Sequence, residues 1–341
     1  MEFNKRINID KIELPQDPIF LVGFPRSGTT LLQSLLATQK NIYSLPETHF
    51  FRIISQFIET DENNCIEISC LHQAFKEIKR MIGLEFPQPV TELLLSMAEE
   101  KKLDQKKLFE IVVFPYLYDQ VHGYALTDIR WLEKTPSHFY VLDKILTLYP
   151  DAQIVIIIRN PIAAIYSRKK SIPQEKNYSV DKLAHQWNEM IKLTEDFRER
   201  YQNSIYVLKY EDLAEKTEDT MNLLCEFLNI EINADQLGTF KDISKTFIQP
   251  WETWKNDVKS KEISNTNEFR IKEMSMIDIL KIQHITQGNM LEYNYNVLYK
   301  NIQAVFILIA YPAYILRRFV FYIERFLRFI LKYSLRGCNE E

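Results

Sequence analysis

The chain has 341 residues, of which 46% are hydrophobic and 26% are charged, a balance typical of a globular protein with a sizeable core. Its formal net charge is −4 and its pI is about 6.0, so no overall basic surface indicates a nucleic-acid-binding protein. The composition also excludes collagen-like, low-complexity and disordered classes.

The cysteines and the N-terminal residues indicate the cellular compartment of the protein. Cys65, Cys70, Cys225 and Cys338 form no CxxC pair and no metal-ligand spacing, which is typical of a reducing compartment. Residues 1–18 are polar and lack the apolar region of a signal peptide, so we interpret them as an N-terminal tail. We therefore expect a cytoplasmic protein.

The stretch IFLVGFPRSGTTLLQSLL, residues 19–36, predicts a buried parallel strand, a tight loop and the start of a helix. Such a loop binds phosphate through backbone N–H groups at the positive end of the helix dipole. Gly23 and Gly28 stand five apart, as in a Walker A loop, but Thr29 occupies the position of the required lysine. The sequence therefore predicts a phosphate-binding loop unlike that of ATP-binding proteins.

The region after this loop is predicted to be helical with one short interruption. A helix from Thr30 to Ala37 is followed by an extended segment at residues 41–45. Pro46 with Glu47 just behind it predicts the start of another helix. Residues 53–121 are charged and have helical periodicity, so we interpret them as a helical insertion that shapes a substrate pocket.

Two further apolar runs predict strands that alternate with helices. Residues 153–158, QIVIII, are unalternating and β-branched, as expected for a strand buried on both faces, and residues 205–208 predict another. This alternation predicts a parallel sheet with helices on both faces. The helices are expected at about residues 138–148, 162–170, 180–201 and 217–228.

The last third of the chain is expected to be more irregular. Residues 240–264 resemble a long loop, and helices resume at about 271–290. Residues 302–336 place basic side chains at helical spacing among apolar and aromatic ones, which predicts an amphipathic helix at a membrane surface. The alternative is a helix packed on the domain or on a second copy of the chain. We thus interpret residues 19–300 as one domain and 301–341 as a C-terminal segment.

The residue after the 153–158 strand argues against magnesium-dependent phosphoryl transfer. An ATP-type loop requires a lysine and an acidic residue at the end of a second buried strand, which holds the metal. Here the strand ends in Arg159, a cation. A loop that binds phosphate and is surrounded by cations fits a donor whose transferred group needs no metal.

At this point the sequence resembles the sulfotransferases that use 3′-phosphoadenosine 5′-phosphosulfate (PAPS). The resemblance rests on five motifs in the family's order, which together cover about residues 19–228. It is closest to branches with a carboxylate base, such as bacterial carbohydrate and tyrosylprotein sulfotransferases, and implies a three-layer α/β fold of the P-loop type. The motifs are PRSGTTLLQSLL, PETHFF, WLEKTP, IVIIIRNPIAAIYS and LKYEDL.

The resemblance implies a donor site and its residues. The loop would hold the 5′-phosphate, with Arg26 facing the sulfuryl group, while Arg159 and Ser167 would hold the 3′-phosphate and Tyr210 the nucleoside. An arginine at the carboxyl end of a strand faces the ligand crevice, which favours this role independently of the family. The implied donor-binding residues are Arg26, Ser27, Gly28, Thr29, Thr30, Arg159, Ser167 and Tyr210.

Glu47 is the leading candidate for the catalytic base, since a carboxylate in this place can take the proton of an acceptor hydroxyl. His49 and His138 are the competitors. Lys134 would neutralise charge as the donor leaves, and Arg26 would assist it. A segment with Ser244, Lys245, Trp251 and Lys255 resembles one that closes over the donor.

We therefore expect transfer of a sulfuryl group from PAPS to an acceptor hydroxyl of a sugar, a lipid-linked sugar or another compound, by in-line displacement without a metal. Two alternatives remain: an ATP–magnesium-dependent kinase of small molecules, and a catalytically silent membrane-associated scaffold. The candidate partners besides the acceptor are the inner face of a membrane, contacted through residues 302–336, and a second copy of the chain.

Overall fold

The computed structural model of the protein describes residues 12–121, 129–172 and 176–299, together with the single positions 312 and 316. Within these residues, five strands form one parallel sheet. The strands are β1 (Ile19–Gly23), β2 (Ile42–Ser44), β3 (Arg130–Glu133), β4 (Gln153–Ile158) and β5 (Ile205–Lys209). Their order across the sheet is β2-β3-β1-β4-β5.

Helices cover both faces of the sheet. In β1, Phe20 and Val22 belong to one hydrophobic core and Ile19 and Leu21 to the other, because successive side chains of a strand point to opposite faces. The predicted three-layer α/β fold with a parallel sheet is confirmed. The α-helices are α1 (Thr29–Leu36), α2 (Ile68–Ile82), α3 (Gln88–Glu99), α4 (Gln105–Val121), α5 (Leu142–Leu148), α6 (Pro161–Ser171), α7 (Val180–Arg200), α8 (Tyr210–Glu215), α9 (Thr217–Leu228), α10 (Phe240–Phe247), α11 (Asn256–Ser260), α12 (Asn267–Lys272) and α13 (Met276–Glu292).

The register of the strands brings the candidate residues to one edge of the sheet. Gly23 at the end of β1 lies beside Ile157 of β4, and Ile158 lies beside Lys209 of β5. The loop after β1, Arg159 after β4 and Tyr210 after β5 therefore all emerge at the carboxyl edge. In open parallel sheets this edge forms the ligand crevice.

The helix predicted to start at Pro46 is wrong. Residues 45–49 are irregular, a turn covers residues 50–53, and only a 3-10 turn at Ile54–Phe57 follows. The reason is that side chains at the end of β3 take hydrogen bonds from this segment. Thr48 donates through its N–H and its Oγ1 to Glu133 Oε1, and its N–H also donates to Thr135 Oγ1 at 3.1 Å. These bonds tie the segment to the end of β3.

The long loop expected at residues 240–264 is also wrong, because the region holds α10, a 3-10 turn at Thr253–Lys255 and α11. In α10, Phe240, Ser244 and Phe247 are buried at spacings of one and two helical turns.

Strand β3 was not anticipated from the sequence, although its Trp131 and Leu132 are fully buried between neighbouring strands.

Helices α2, α3 and α4 fall in the predicted helical insertion at 53–121. The amphipathic helix predicted at 302–336 lies outside the described residues, apart from the isolated positions 312 and 316. Among the helices that are described, none has the length and the hydropathy needed to cross a bilayer.

Candidate active site

A cavity of about 850 Å³ opens at the carboxyl edge of the sheet. Its walls come from the loop after β1, residues 46–53, the starts of the segments after β3, β4 and β5, and the region from residue 249 to residue 270. The insertion contributes its Met81 and Ile82 at the end of α2. The cavity thus joins the predicted donor loop and the predicted base.

The loop after β1 turns tightly onto α1. Ser27 N–H donates to Phe24 O at 3.1 Å, and Arg26 and Gly28 both have positive φ, 74° and 97°. A Cβ at Gly28 would lie 2.5 Å from the ring of Tyr210, so only glycine fits there. The loop backbone is therefore pressed against the start of α8.

Two features of the loop suit an anionic ligand. The Ser27 hydroxyl is buried and bonds to no group of the described residues. No side chain of the described residues caps the N-terminus of α1, where the first backbone N–H groups lack helical acceptors. A phosphate at this point would satisfy both and would interact favourably with the helix dipole.

Arg159 is fixed by contacts on every side. Its guanidinium donates to Arg26 O at 3.1 Å, to Thr266 Oγ1 at 3.0 Å and to Asn267 Oδ1 at 2.8 Å. It also stacks on Tyr210, with Cζ 3.8 Å from the ring centroid. Of the predicted donor residues, the structure thus brings Arg159 and Tyr210 into direct contact beside the loop.

Arg26 and Ser167 form another contact of the donor side. Arg26 Nε donates to Ser167 Oγ at 3.3 Å, so its guanidinium is turned towards the residue predicted for the 3′-phosphate. Burial, reinforced by the charge of Arg270, lowers the pKa of Arg26 and of Arg159 to about 10. Arg270 lines the cavity, and its buried Nη1 bonds to nothing in the described residues. Three crowded arginines favour an anion between them.

Glu47 is the centre of a buried cluster of charges on the opposite wall. Its Oε1 accepts hydrogen bonds from Lys134 Nζ and from Lys255 Nζ, the latter at 2.6 Å. Lys134 Nζ is also 3.3 Å from Thr30 Oγ1 at the start of α1, and Lys255 pairs with Glu252 as well. Both lysine side chains are at most 6% exposed.

These contacts change the ionisation of the cluster. Burial alone would raise the pKa of the Glu47 carboxyl, but the charges of Lys134 and Lys255 outweigh it and hold that pKa well below its usual value. Burial lowers the pKa of Lys134, although Glu47 opposes this. Burial would likewise lower the pKa of Lys255, but the carboxylates of Glu47 and Glu252 raise it.

The two histidines that compete with Glu47 differ in position. His138 is fully buried and accepts from the N–H of Phe51 through Nε2, while Nδ1 lies 2.9 Å from Glu133 Oε2. His49 lines the cavity with Nε2 at 3.5 Å from Glu47 Oε2, and burial lowers the pKa of its ring. Both nitrogens of His138 are thus engaged away from the cavity, whereas His49 supports Glu47.

A buried network fixes the segment that carries Glu47. The Glu133 carboxylate accepts from Thr48 Oγ1 at 2.8 Å and from Thr135 Oγ1 at 2.6 Å, and it contacts His138. Burial alone would raise the pKa of Glu133, but His138 and these hydrogen bonds lower it. The neighbour of Glu47 is therefore anchored to the end of β3.

Several lining residues were missed by sequence reasoning. Thr266 and Arg270 line the cavity, and Asn267 binds Arg159; all three come from α12 and the turn before it, between the loop predicted at 240–264 and the helix predicted from about 271. Lys255 was associated with the donor, and its contact with Glu47 was not foreseen. The i,i+3 spacing of Glu252 and Lys255, between two tryptophans and a charged run, was the available signal. Within the described residues, no group of three or more His, Cys, Asp or Glu is placed to hold a metal.

A family model described as "Sulfotransferase family" matches residues 18–234, more than half of the chain. The protein therefore belongs to the sulfotransferase family, as its motifs predicted.

Two curated relatives are similar in sequence. An uncharacterised protein of Aquifex aeolicus (strain VF5) is 25% identical over 223 residues, which is 62% of this chain and 25% of that protein. The nodulation protein NoeE of Sinorhizobium fredii (strain NBRC 101917 / NGR234) is 28% identical over 152 residues, 45% of this chain and 31% of that protein. The matched regions cover between a quarter and a third of these relatives.

Two solved structures share the fold. The sulfotransferase domain of the Synechococcus PCC 7002 olefin synthase has a TM-score of 0.56 and 18% identity, covering 84% of this chain and 97% of that domain. The sulfotransferase domain from the curacin biosynthetic pathway has a TM-score of 0.54 and 17% identity, covering 84% and 100%. Both likenesses agree with the three-layer fold described above.

Proposed function

We propose that the protein transfers the sulfuryl group of PAPS to an acceptor hydroxyl, with Glu47 as the general base. The observation that carries this proposal is the bridge from Glu47 through Lys134 Nζ to Thr30 Oγ1. A proton acceptor and a phosphate-binding loop lie within reach of one ammonium group, which is the arrangement that in-line transfer between them requires.

The donor binds along the carboxyl edge of the sheet. Its 5′-phosphate lies at the loop, where the Ser27 hydroxyl and the uncapped start of α1 offer hydrogen-bond donors. Its 3′-phosphate lies near Arg159 and Ser167. Arg270 adds a guanidinium whose Nη1 has no hydrogen-bond partner among the described residues. Tyr210, already stacked on Arg159, packs beside the nucleoside.

The sulfuryl group then lies between the loop and Glu47. The acceptor oxygen attacks sulfur from the side of Glu47, which takes the hydroxyl proton as the new O–S bond forms. The bond from sulfur to the 5′-phosphate oxygen breaks on the opposite side, and 3′-phosphoadenosine 5′-phosphate (PAP) leaves with the electron pair. Lys134 neutralises negative charge on the sulfuryl and bridging oxygens.

The acceptor occupies the part of the cavity that the insertion helps to form. Ile53, Met81, Ile82 and Trp251 give this part apolar and aromatic walls. A large apolar wall with a few polar groups is typical of sites for organic ligands. The chemical class of the acceptor is open to direct screening.

Calorimetry and a transfer assay test the proposal on the full chain. PAP should bind the protein, and ATP with magnesium should not, because the loop lacks the required lysine. Labelled sulfate from PAPS should appear on at least one of a panel of sugars, lipids, peptides and phenols. Binding of ATP–magnesium in place of PAP would support the kinase, and PAP binding without any transfer would support the silent scaffold.

A further inference from the structure

Lys255 has contacts that the proposed reaction does not yet use. It lies in the 3-10 turn Thr253–Lys255, before α11, and is 6% exposed. Its Nζ is 2.6 Å from Glu47 Oε1 and also binds the Glu252 carboxylate, which is itself buried. A buried lysine between two carboxylates stays charged, because the desolvation of its ammonium is offset by both acids.

Lys255 and Lys134 converge on the same oxygen atom. Both ammonium groups bind Glu47 Oε1, and Lys134 also lies near Thr30 Oγ1 of the loop. A group that binds Lys134 between Thr30 and Glu47 therefore lies next to the oxygen that Lys255 also binds. In the proposed reaction that group is the sulfuryl group, whose negative charge is shared by its three peripheral oxygens.

Resting on the proposed function, we propose that Lys255 is a second sulfuryl-binding cation, which exchanges Glu47 Oε1 for a sulfuryl oxygen when PAPS binds. The exchange has two effects. It adds a charge-assisted hydrogen bond to the transferred group, and it removes one of the two ammonium groups from the Glu47 oxygen that must accept the acceptor's proton.

The exchange also explains how Glu47 can act as a base. A carboxylate bound by two ammonium groups, with His49 beside its other oxygen, is a weak proton acceptor, and its pKa is accordingly low. Transfer of Lys255, and in part Lys134, to the sulfuryl group raises the basicity of Glu47 only when the donor is present.

The atoms and charges balance along this path. The acceptor O–S bond forms as the bond from sulfur to the 5′-phosphate oxygen breaks, and the electron pair stays on PAP. The acceptor's proton moves to Glu47, while Lys134 and Lys255 keep their protons throughout. Glu252 holds Lys255 in place during the exchange and also accepts the Gln249 N–H at 3.0 Å, so it is a positioning residue.

PAP and PAPS provide a direct test, because they differ only in the sulfuryl group. We would measure both dissociation constants by calorimetry for the wild type, Lys255→Met and Lys255→Arg. In Lys255→Met, the affinity for PAPS should fall about tenfold while the affinity for PAP changes less than about twofold. Lys255→Arg keeps the charge and should retain most of the preference.

Two further variants make every outcome decisive. Lys272→Met removes a lysine whose side chain is 78% exposed, and it should leave both constants unchanged. Glu252→Gln should reduce the PAPS preference in the same direction as Lys255→Met, which keeps the test valid if the latter fails to fold. An unchanged preference in Lys255→Met, or in Glu252→Gln when Lys255→Met binds neither nucleotide, would overturn the inference. A wild type that binds neither nucleotide would instead overturn the proposed function.

Discussion

The two walls of the cavity handle charge in opposite ways. On the wall formed by the loop, Arg159 and Arg270, hydrogen-bond donors are left over, since Ser27 Oγ and Arg270 Nη1 bond to no group of the described residues. On the wall around Glu47, two carboxylates and two ammonium groups satisfy one another. The first wall offers donors to an anion as it stands, whereas on the second wall, in the proposed reaction, Lys255 first exchanges its partner.

Among the predicted effects of single substitutions, that of removing the proposed base, Glu47, should be the largest. Glu47→Gln keeps the size of the side chain and removes its proton affinity, so the rate of sulfuryl transfer should fall by about 10²–10⁴-fold. The affinity for PAP should change little, because the wall formed by the loop, Arg159 and Arg270 stays intact. His49→Asn is the matched comparison, and a larger loss of transfer there than in Glu47→Gln would assign the base to the imidazole.

The buried hydrogen-bond network of Glu133, which anchors the segment that carries Glu47, should contribute strongly to the free energy of unfolding. Glu133→Gln leaves His138 and two threonines with a poorer partner, and the free energy of unfolding should fall by about 3 kcal/mol at pH 7. Because the native pKa of Glu133 is lowered, this contribution is complete above the unfolded value, about 4.3, and is lost as the pH falls through the native value.

Urea unfolding of both proteins between pH 7 and pH 3 measures this prediction, and the difference between them should shrink on the acidic side. The exposed Glu85→Gln serves as a control and should stay within about 0.5 kcal/mol of the wild type. A difference that grows below pH 4 would contradict the assignment.

A substitution in the wall formed by the loop, Arg159 and Arg270 should change the affinity for PAP. Arg159→Met removes a guanidinium that binds three groups and stacks on Tyr210, so PAP affinity should fall by about 10–100-fold. Arg198→Met, on the exposed face of α7, should leave the dissociation constant unchanged in the same titration. An effect of Arg159→Met on transfer alone, with normal PAP binding, would separate Arg159 from the 3′-phosphate.

The smallest effect should come from the loop backbone. At Gly28, φ is 97° and an added Cβ would meet the Tyr210 ring, so Gly28→Ala should lower the free energy of unfolding by about 1–2 kcal/mol. Gly288, inside α13, has open space around it, and Gly288→Ala should raise the free energy of unfolding by about 0.5–1 kcal/mol. Equal changes in the two denaturation curves would show that the loop tolerates a side chain.

The sequence was most informative where one local pattern decides the structure. The apolar runs of β1, β4 and β5 and the Gly23–Gly28 spacing predicted these three strands and the loop. Strand β3, RWLE, has only two apolar residues and owes its burial to strands on both sides. Such stabilisation by neighbours leaves no periodic signal in the strand itself.

The site could likewise be predicted only in part, because several of its contacts join segments that are distant in the sequence. The sequence marked Glu47, Lys134 and Arg159 as single residues, each within its own motif. The pairing of Glu47 with Lys255 and of Arg159 with Thr266 depends on how α10, α11 and α12 fold back over the sheet. Local patterning around Lys255 predicts a charged turn but not which carboxylate it meets.

The anchoring of Thr48 to Glu133 has a consequence for how this protein can change. Glu47 lies next to Thr48, which is bound to the end of β3, while Met81 and Ile82 of the cavity wall belong to α2, beyond the turn at residues 50–53. Glu47 is thus positioned from the sheet, whereas Met81 and Ile82 are positioned from α2 of the insertion. In the proposed reaction, α2 can be exchanged by design to accept other hydroxyl compounds, whereas α4 must be kept, because its Phe109 packs on Phe50 and Phe51 beside the carboxylate that would activate them.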